Sequence, residues 1–440
     1  MLVNLLSVAG VMKTIGGVLL AVVILLAMVT IHEFGHYIAG RLLGFKITEF
    51  SVGFGPALLK KRSKKTGVLF ALRLVPLGGY CAFDGEDEDL SKKEEKGDKT
   101  NEPFEEMTAD DGENLKNEGG MSATNENPSV TQSENAEDDP QEENKKEDEY
   151  PEPQGARFND QPPWKRIIVL IAGATMNYLL ALFLIILMFA CVGRPVYTVT
   201  ESDRFQSAAG QTFEGLQAGD TILEINGKTL YMLTDWQDAL NGKKKGDVVD
   251  VLVIRDGKKQ TVPVSLYQDA SVKNMSDSNV IFYSLGLVVY EEVNGEMQLV
   301  RYLELHSQTV RDGFFQTIGH SFMYSFKLGG SVLRSLGELI TGKLGIQAMG
   351  GPVTTISVTA EAAVSGFASF LNIAALIGVN LAVFNLLPVP ALDGCKVIFC
   401  IIEWIRKKPI NRKVETIINL VGIIFLLGFA VLIDLLHFIL

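Results

Sequence analysis

The chain has 440 residues, 47% of them hydrophobic, with a mean hydropathy of +0.20 and a formal net charge of −12. This length allows two or three domains. The chain has four cysteines, and none lies in the middle of the region at residues 193–361, so no disulfide framework is expected. A chain so apolar that also carries long charged stretches must concentrate its apolar residues in separate segments.

Four uncharged apolar segments are spaced along the chain, at residues 15–31, 167–192, 362–392 and 416–433. Each approaches or exceeds the roughly 18–20 residues that a helix needs to cross a bilayer core. A removable signal peptide is the alternative for the first segment. We reject it, because the chemical groups at its C-terminal end would be severed from the rest of the protein. The sequence therefore predicts four transmembrane helices.

The charge distribution predicts the orientation in the membrane. Residues 84–150 contain 25 acidic residues and seven lysines, so this stretch carries −18 and the remainder of the chain carries +6. The basic residues of the remainder cluster after the first apolar segment, before the second, and between the third and fourth. The positive-inside rule puts these groups in the cytoplasm, with residues 193–361 and both termini on the other side.

The segments between the apolar runs differ in pattern. Residues 45–84 alternate loosely between apolar and polar side chains and carry glycine and proline turns, which is typical of strands. Residues 85–160 are low in complexity and acidic, which predicts a disordered insert. Residues 196–268 alternate short apolar runs with Asn-Gly and Asp-Gly turns, which predicts β-hairpins. Residues 307–345 carry an apolar stripe at helical spacing, which we interpret as ordinary packing.

The first apolar segment ends in His-Glu-Phe-Gly-His, at residues 32–36. On a helix His32 and His36 share one face, so both imidazoles can reach one zinc ion. Glu33 lies beside the first ligand, where it can take a proton from the attacking water and pass it to the leaving amine. Two satisfied histidines and a snorkelling glutamate are the alternative, but polar groups at membrane depth are costly and indicate function.

Catalytic zinc sites usually have three protein ligands. Asp393 is a good third candidate, because it follows two prolines at the end of the third apolar segment, and that end lies at the same predicted depth as residues 32–36. His306 and His320 fit poorly because they lie in the outside region. His437 lies at the far end of the fourth segment.

Several motifs, spread over nearly the whole chain, together resemble those of one protein family. They are HEFGH at 32–36, EFSVGFGP at 49–56, PLGGY at 76–80, GLQAGDTILEING at 215–227, GGPV at 350–353 and NLLPVPALDG at 385–394. Together they resemble the site-2 protease family of intramembrane zinc metalloproteases, specifically its bacterial RseP/RasP-like branch with a PDZ domain.

The resemblance implies that His32, His36 and Asp393 hold Zn²⁺, with Glu33 as the general base. It also implies that Asn385 helps to hold the substrate near the metal.

The resemblance further implies that the hairpin around residues 68–80 pairs with an unwound substrate as an added strand, which replaces the hydrogen bonds that the opened helix loses. Gly78, Gly79 and Pro388 are therefore predicted, with Asn385, to bind substrate. The expected partners are the lipid bilayer and single-pass membrane proteins, such as anti-sigma factors or remnant signal peptides. No nucleic-acid partner is expected.

The predicted fold is a polytopic α-helical membrane protein with four transmembrane helices, a membrane-associated β-hairpin region and an extracytoplasmic PDZ-like α+β domain. It is expected in the bacterial cell membrane, with the active site toward the cytoplasmic side. The predicted domains are 1–44 with HExxH, 45–84 for the hairpin region, 85–160 for the acidic insert, 161–193 for the second span, 194–270 for the PDZ-like domain, 271–361 for a linker with amphipathic helices, 362–395 for the third span and 396–440 for the basic loop and fourth span.

Two other classes of protein remain open at this point. A membrane zinc transporter also carries His and Asp within its spans, although this class does not explain Glu33 next to His32. An inactive PDZ scaffold would bind peptide tails without cleaving them, although it does not need the complete ligand set.

Overall fold

The computed structural model describes residues 8–86, 150–202, 214–270, 278–293, 295–345 and 350–439. By its internal contacts the chain divides into two compact units. One unit comprises Met1–Ile31, Ala174–Asn385 and Ala430–Leu440, and the other comprises His32–Gly173 and Leu386–Phe429. Segments far apart in sequence therefore pack together within each unit.

The described residues form helices and strands in the following bounds. The helices are α1 (Val8–Leu42), α2 (Pro163–Cys191), α3 (Leu233–Leu240), α4 (Ser278–Ser284), α5 (Phe314–Ile340), α6 (Pro352–Ser365), α7 (Phe367–Asn385), α8 (Asp393–Arg406) and α9 (Arg412–Ile439). The strands are β1 (Ile47–Arg62), β2 (Leu69–Phe83), β3 (Arg194–Glu201), β4 (Thr221–Ile225), β5 (Lys228–Thr229), β6 (Val248–Arg255), β7 (Lys258–Ser265), β8 (Val288–Val293) and β9 (Glu296–Val310).

Among the described residues, four helices are long and apolar enough to cross a membrane, which confirms the four predicted apolar helices. Their spans are Thr14–Leu42, Pro163–Cys191, Phe367–Asn385 and Arg412–His437. A helix suits this role because it satisfies its own backbone hydrogen bonds where no water is available.

The third span is shorter than the uncharged run at residues 362–392 suggests. Gly366 has φ 147°, a conformation that few residues other than glycine adopt, and it separates α6 from α7. The prolines at 388 and 390 then lie beyond the end of α7, where no helical hydrogen bond is lost.

Strands β1 and β2 form an antiparallel hairpin within the second unit. Its core contains Phe45, Ile47, Phe83 and Phe158, all buried. Phe158 belongs to a stretch predicted to be disordered, but the Phe158 amide donates to the Asp84 carbonyl at 2.8 Å and its ring packs on Phe45. Residues 150–160 are thus part of this unit, whereas residues 87–149 of the acidic segment lie outside the described residues, where disorder stays a prediction.

The other unit contains an antiparallel sheet whose strand order, among the described residues, is β7-β6-β4-β3-β9-β8, with β5 pairing β4. The predicted Asn226-Gly227 and Asp256-Gly257 turns connect its hairpins, and all four residues have positive φ, as two-residue turns of this kind require. Helix α3 buries Trp236 against the sheet.

This sheet extends beyond residue 270, the predicted end of the PDZ-like domain. Strand β9 pairs with β3 along its length, from Arg194 opposite Val310 to Glu201 opposite Leu303. Strands β8 and β9 thus belong to the same sheet, and β9 is the neighbour on one side of β3.

Candidate metal centre

The two histidines of the HExxH motif lie one turn apart on α1, which continues through the motif to Leu42. Their rings meet edge to face with centroids 4.7 Å apart, and their Nε2 atoms are 3.1 Å from each other. Both side chains are buried. The helix therefore does what the spacing predicts, which is to aim two imidazole nitrogens at one point.

Asp393 is the first residue of α8 and completes the cluster. Its Oδ2 atom lies 3.0 Å from Nε2 of His32 and 3.3 Å from Nε2 of His36. Among the described residues, these three side chains form the group of His, Cys, Asp or Glu residues close enough to hold a metal ion. The alternatives have other partners: His306 lies beside Thr200, and His320 lies beside Tyr231.

The cluster has the size that zinc requires. Zinc sits about 2.0–2.1 Å from nitrogen and carboxylate ligands in tetrahedral sites, so ligand atoms lie about 3.3 Å from one another. The edges of 3.0, 3.1 and 3.3 Å between the three side chains are close to this spacing. Three corners of a tetrahedron are thus present, which leaves the fourth for a reactant.

A hydrogen bond orients His36. Its Nδ1–H donates to the backbone carbonyl of Val169 on α2 at 2.8 Å. With the proton on Nδ1, the lone pair of Nε2 points into the cluster, which is the tautomer that a metal ligand needs. The donor set therefore fits a zinc ion.

Two glycines let α1 and α2 approach closely at the cluster. A Cβ atom on Gly173 would lie 2.8 Å from Cε1 of His32 and closer still to His36. A Cβ on Gly35 would lie 2.8 Å from the backbone carbonyl carbon of Ala172. Any larger residue at position 173 would occupy the space in which the imidazoles stand.

The carboxylate of Glu33 is positioned from outside its own helix. It is half-buried, and the backbone amide of Cys81 on β2, both histidines and Asp393 all lie close enough to act on it electrostatically. No side-chain pattern indicates Cys81 in advance, because the contact uses a backbone group that nearly every residue has.

The segment between α7 and α8 positions Asp393. Ala391 adopts φ 79°, and its amide donates to Oδ1 of Asn419 on α9 at 3.3 Å. Gly394 leaves no room for a side chain, since a Cβ there would touch the backbone of Leu386 and Leu387. The chain thus turns tightly and begins α8 with Asp393 on the cluster.

The predicted substrate-binding residues lie on three different elements. Asn385 is the last residue of α7, and Pro388 lies in the segment that joins α7 to α8. Gly78 and Gly79 lie within β2; Gly78 has φ 106° with the Phe54 ring against it, and Gly79 pairs with Val52.

Comparison with known proteins identifies the family of this chain. The profile of peptidase family M50 matches residues 20–429. The chain is 27% identical over 437 residues to the regulator of sigma-W protease RasP of Bacillus subtilis, covering 92% of this chain and 94% of the relative. It is also 27% identical over 430 residues to the zinc metalloprotease RasP of Bacillus licheniformis, covering 91% and 93%. The protein therefore belongs to peptidase family M50 and is an intramembrane zinc metalloprotease.

Proposed function

We propose that His32, His36 and Asp393 hold the zinc ion and that Glu33 is the general base of peptide hydrolysis. The observation that carries this proposal is the triangle of ligand atoms, 3.0–3.3 Å on each edge, with the Glu33 carboxylate beside it. A zinc ion bound there would supply Lewis acidity that polarises a peptide carbonyl and makes water acidic at neutral pH.

The groups around the metal then have separate roles in the reaction. Glu33 accepts the proton of the attacking water and delivers it to the nitrogen of the scissile amide, so that the carbonyl carbon gains an oxygen and the amine leaves neutral. The backbone amide of Cys81, which lies beside the carboxylate, interacts favourably with its negative charge between these two transfers. The Val169 carbonyl keeps His36 in the tautomer that binds metal throughout.

The substrate class follows from the position of the cluster on membrane helices. His32 and His36 belong to an apolar helix of 29 residues, long enough to cross a membrane, so a peptide bond reaches them only in or near a transmembrane segment. We assign single-pass membrane proteins as substrates. The name of the Bacillus subtilis relative, a regulator of sigma-W protease, favours anti-sigma factors among them. Remnant signal peptides are a second substrate type, because they too are apolar segments that lie in the membrane.

A transmembrane helix must unwind before its peptide bonds can be attacked. The β1–β2 hairpin supports this step, because each strand of a two-stranded ladder has a second edge to which an extended peptide can add. We assign Gly78 and Gly79 to strand addition and Asn385 and Pro388 to holding the substrate backbone.

The distribution of basic residues supports an orientation with the zinc cluster toward the cytoplasm and the antiparallel sheet outside the cell membrane. We assign this sheet as a PDZ-like domain that selects substrates by the size of their outer portion. It contributes none of the four residues proposed for catalysis.

Comparative membrane proteomics tests the proposal. Cells carrying the wild-type protein should accumulate short membrane fragments that are absent when Glu33→Gln replaces it, and the uncut single-pass precursors should build up instead. Identical fragment sets in the two strains would overturn the assignment of Glu33. Fragments derived only from soluble proteins would overturn the substrate class.

A further inference from the structure

A basic cavity lies away from the zinc cluster, where α2 and α9 begin and α8 ends. Its volume is about 380 Å³. The lining residues that matter here are Gln161, Arg166, Trp404, Lys407, Lys408 and Arg412. Four of these six carry positive charge, and nothing in the proposed mechanism uses them.

Two of the cationic side chains are buried, with Arg166 5% and Arg412 9% exposed. Both form salt bridges with Glu403. Nη2 of Arg166 lies 2.7 Å from one carboxylate oxygen, and Nη2 of Arg412 lies 3.1 Å from the other. Arg412 also pairs with Glu415. Together with Lys407 and Lys408, these groups leave a net charge of +2 around the cavity.

The buried arginines also carry unused donors. The Nε atoms of Arg166 and Arg412 are both buried and have no hydrogen-bond partner among the described residues. A buried donor without an acceptor is costly, and the two arginines that carry these donors both line one positively charged cavity, which favours an anionic ligand there.

The helix termini reinforce this charge. Pro163 and Arg412 both line the cavity, and they are the first residues of α2 and α9. The amino-terminal end of a helix carries partial positive charge, which attracts anions. Two transmembrane helices therefore direct these ends at the same cavity.

The surroundings identify the kind of anion. Trp404, on the rim, is 55% exposed, and amphipathic aromatic side chains of this kind sit at the membrane–water interface. On α8, beside Trp404, Ile401 is 40% and Ile405 is 77% exposed. A polar, cationic cavity thus adjoins an exposed apolar face of α8.

We infer that this cavity binds the phosphate headgroup of an anionic phospholipid, whose acyl chains lie along the exposed apolar face of α8. Basic pockets between membrane helices recognise headgroups in this way. Lys407 and Lys408 distinguish an anionic lipid from a zwitterionic one, because a choline group would bring a cation against them.

Native mass spectrometry of the full-length protein in detergent tests this inference. Phosphatidylglycerol and phosphatidylcholine with identical acyl chains are titrated separately. We expect phosphatidylglycerol to bind at least tenfold more tightly. Lys407→Gln/Lys408→Gln should reduce that preference by on the order of tenfold, whereas Lys407→Arg/Lys408→Arg should preserve it.

The matched control is Lys60→Gln/Lys61→Gln, which removes the same charge from two exposed positions on β1. All titrations use a Glu33→Gln background, so that the binding result is independent of proteolysis. Equal affinity for the two lipids would overturn the inference. So would a loss of the preference for phosphatidylglycerol in the control pair that equals the loss in Lys407→Gln/Lys408→Gln. Complete displacement of phosphatidylglycerol by millimolar inorganic phosphate would assign the cavity to a free anion instead. A melting temperature for each variant shows that it is folded.

Discussion

The backbone amide of Cys81 lies beside the carboxylate of Glu33 and acts on it electrostatically. This contact joins β2 of the hairpin, the element proposed to receive the substrate strand, to the proposed general base on α1. Pairing of a substrate with β2 would therefore occur on the same strand that contacts the base.

Because the amide of Cys81 makes this contact, the thiol should be dispensable. Cys81→Ala should retain cleavage within about twofold of wild type. Burial, and after it the nearby Glu33 carboxylate, raises the pKa of the Cys81 thiol well above its usual range, so the thiol stays protonated at neutral pH. At pH 7.5 iodoacetamide should modify the exposed Cys191 and leave Cys81 unmodified. Rapid alkylation of Cys81, or a tenfold loss of activity in Cys81→Ala, would contradict this account.

Glu33→Gln should keep the fold and the zinc content but reduce cleavage by about 10²–10⁴-fold, which is the usual contribution of general acid–base catalysis. Glutamine has nearly the same shape, but it cannot take a proton. The measurement pairs metal analysis of the purified protein with cleavage of a tagged single-pass substrate. Turnover at the wild-type rate would exclude Glu33 as the base.

Asp393→Ala should lower both zinc content and cleavage, because it removes one corner of the ligand triangle. A matched control is Asp434→Ala on α9, whose carboxylate accepts from the amides of Val353 and Thr354 at the start of α6 and has no assigned role at the metal. Metal analysis after dialysis against a weak chelator should separate the two variants. Full zinc retention by Asp393→Ala would show that another residue is the ligand.

Gly173→Ala should impair metal binding without altering any ligand. The added Cβ would lie 2.8 Å from Cε1 of His32, so the imidazoles or α2 must shift. A shift of a few tenths of an ångström would move the three ligand atoms away from the spacing that zinc requires. Gly337→Ala on α5 is the control, since a Cβ there meets nothing within 4 Å, and it should leave zinc content and cleavage unchanged. Equal zinc affinity in the two variants would refute the steric argument.

Excision of the sheet tests its proposed role in selecting substrates. Arg194 and Val310 pair across β3 and β9, so a short Gly-Ser linker can join residue 194 to residue 310. We expect the shortened enzyme to keep its zinc and to cleave substrates with large outer portions as readily as truncated ones. In the full-length protein Trp236→Ala, which costs about 3–5 kcal/mol of core stability, should relax the same preference. A zinc-loaded, folded product that rejects all substrates would contradict the role.

Local patterns in the sequence were enough for several features. The spacing of His32 and His36 predicts a shared helix face, because the helical repeat alone brings residues i and i+4 together. The apolar runs predict the four long helices, and the Asn-Gly and Asp-Gly pairs predict two hairpin turns, because these structures depend on neighbouring residues. Asp393 could be named as a candidate from its place after the prolines and from the resemblance of its motif.

Only the tertiary structure decided how these pieces meet. It brings Asp393 to within 3.0 Å of His32 across 361 positions of sequence, and it adds β9 to the sheet as the neighbour of β3. It also supplies the Val169 carbonyl and the Cys81 amide. Nearly every residue carries these backbone groups, so no side-chain pattern marks the two that the centre uses; their roles follow from the packing of distant elements against α1.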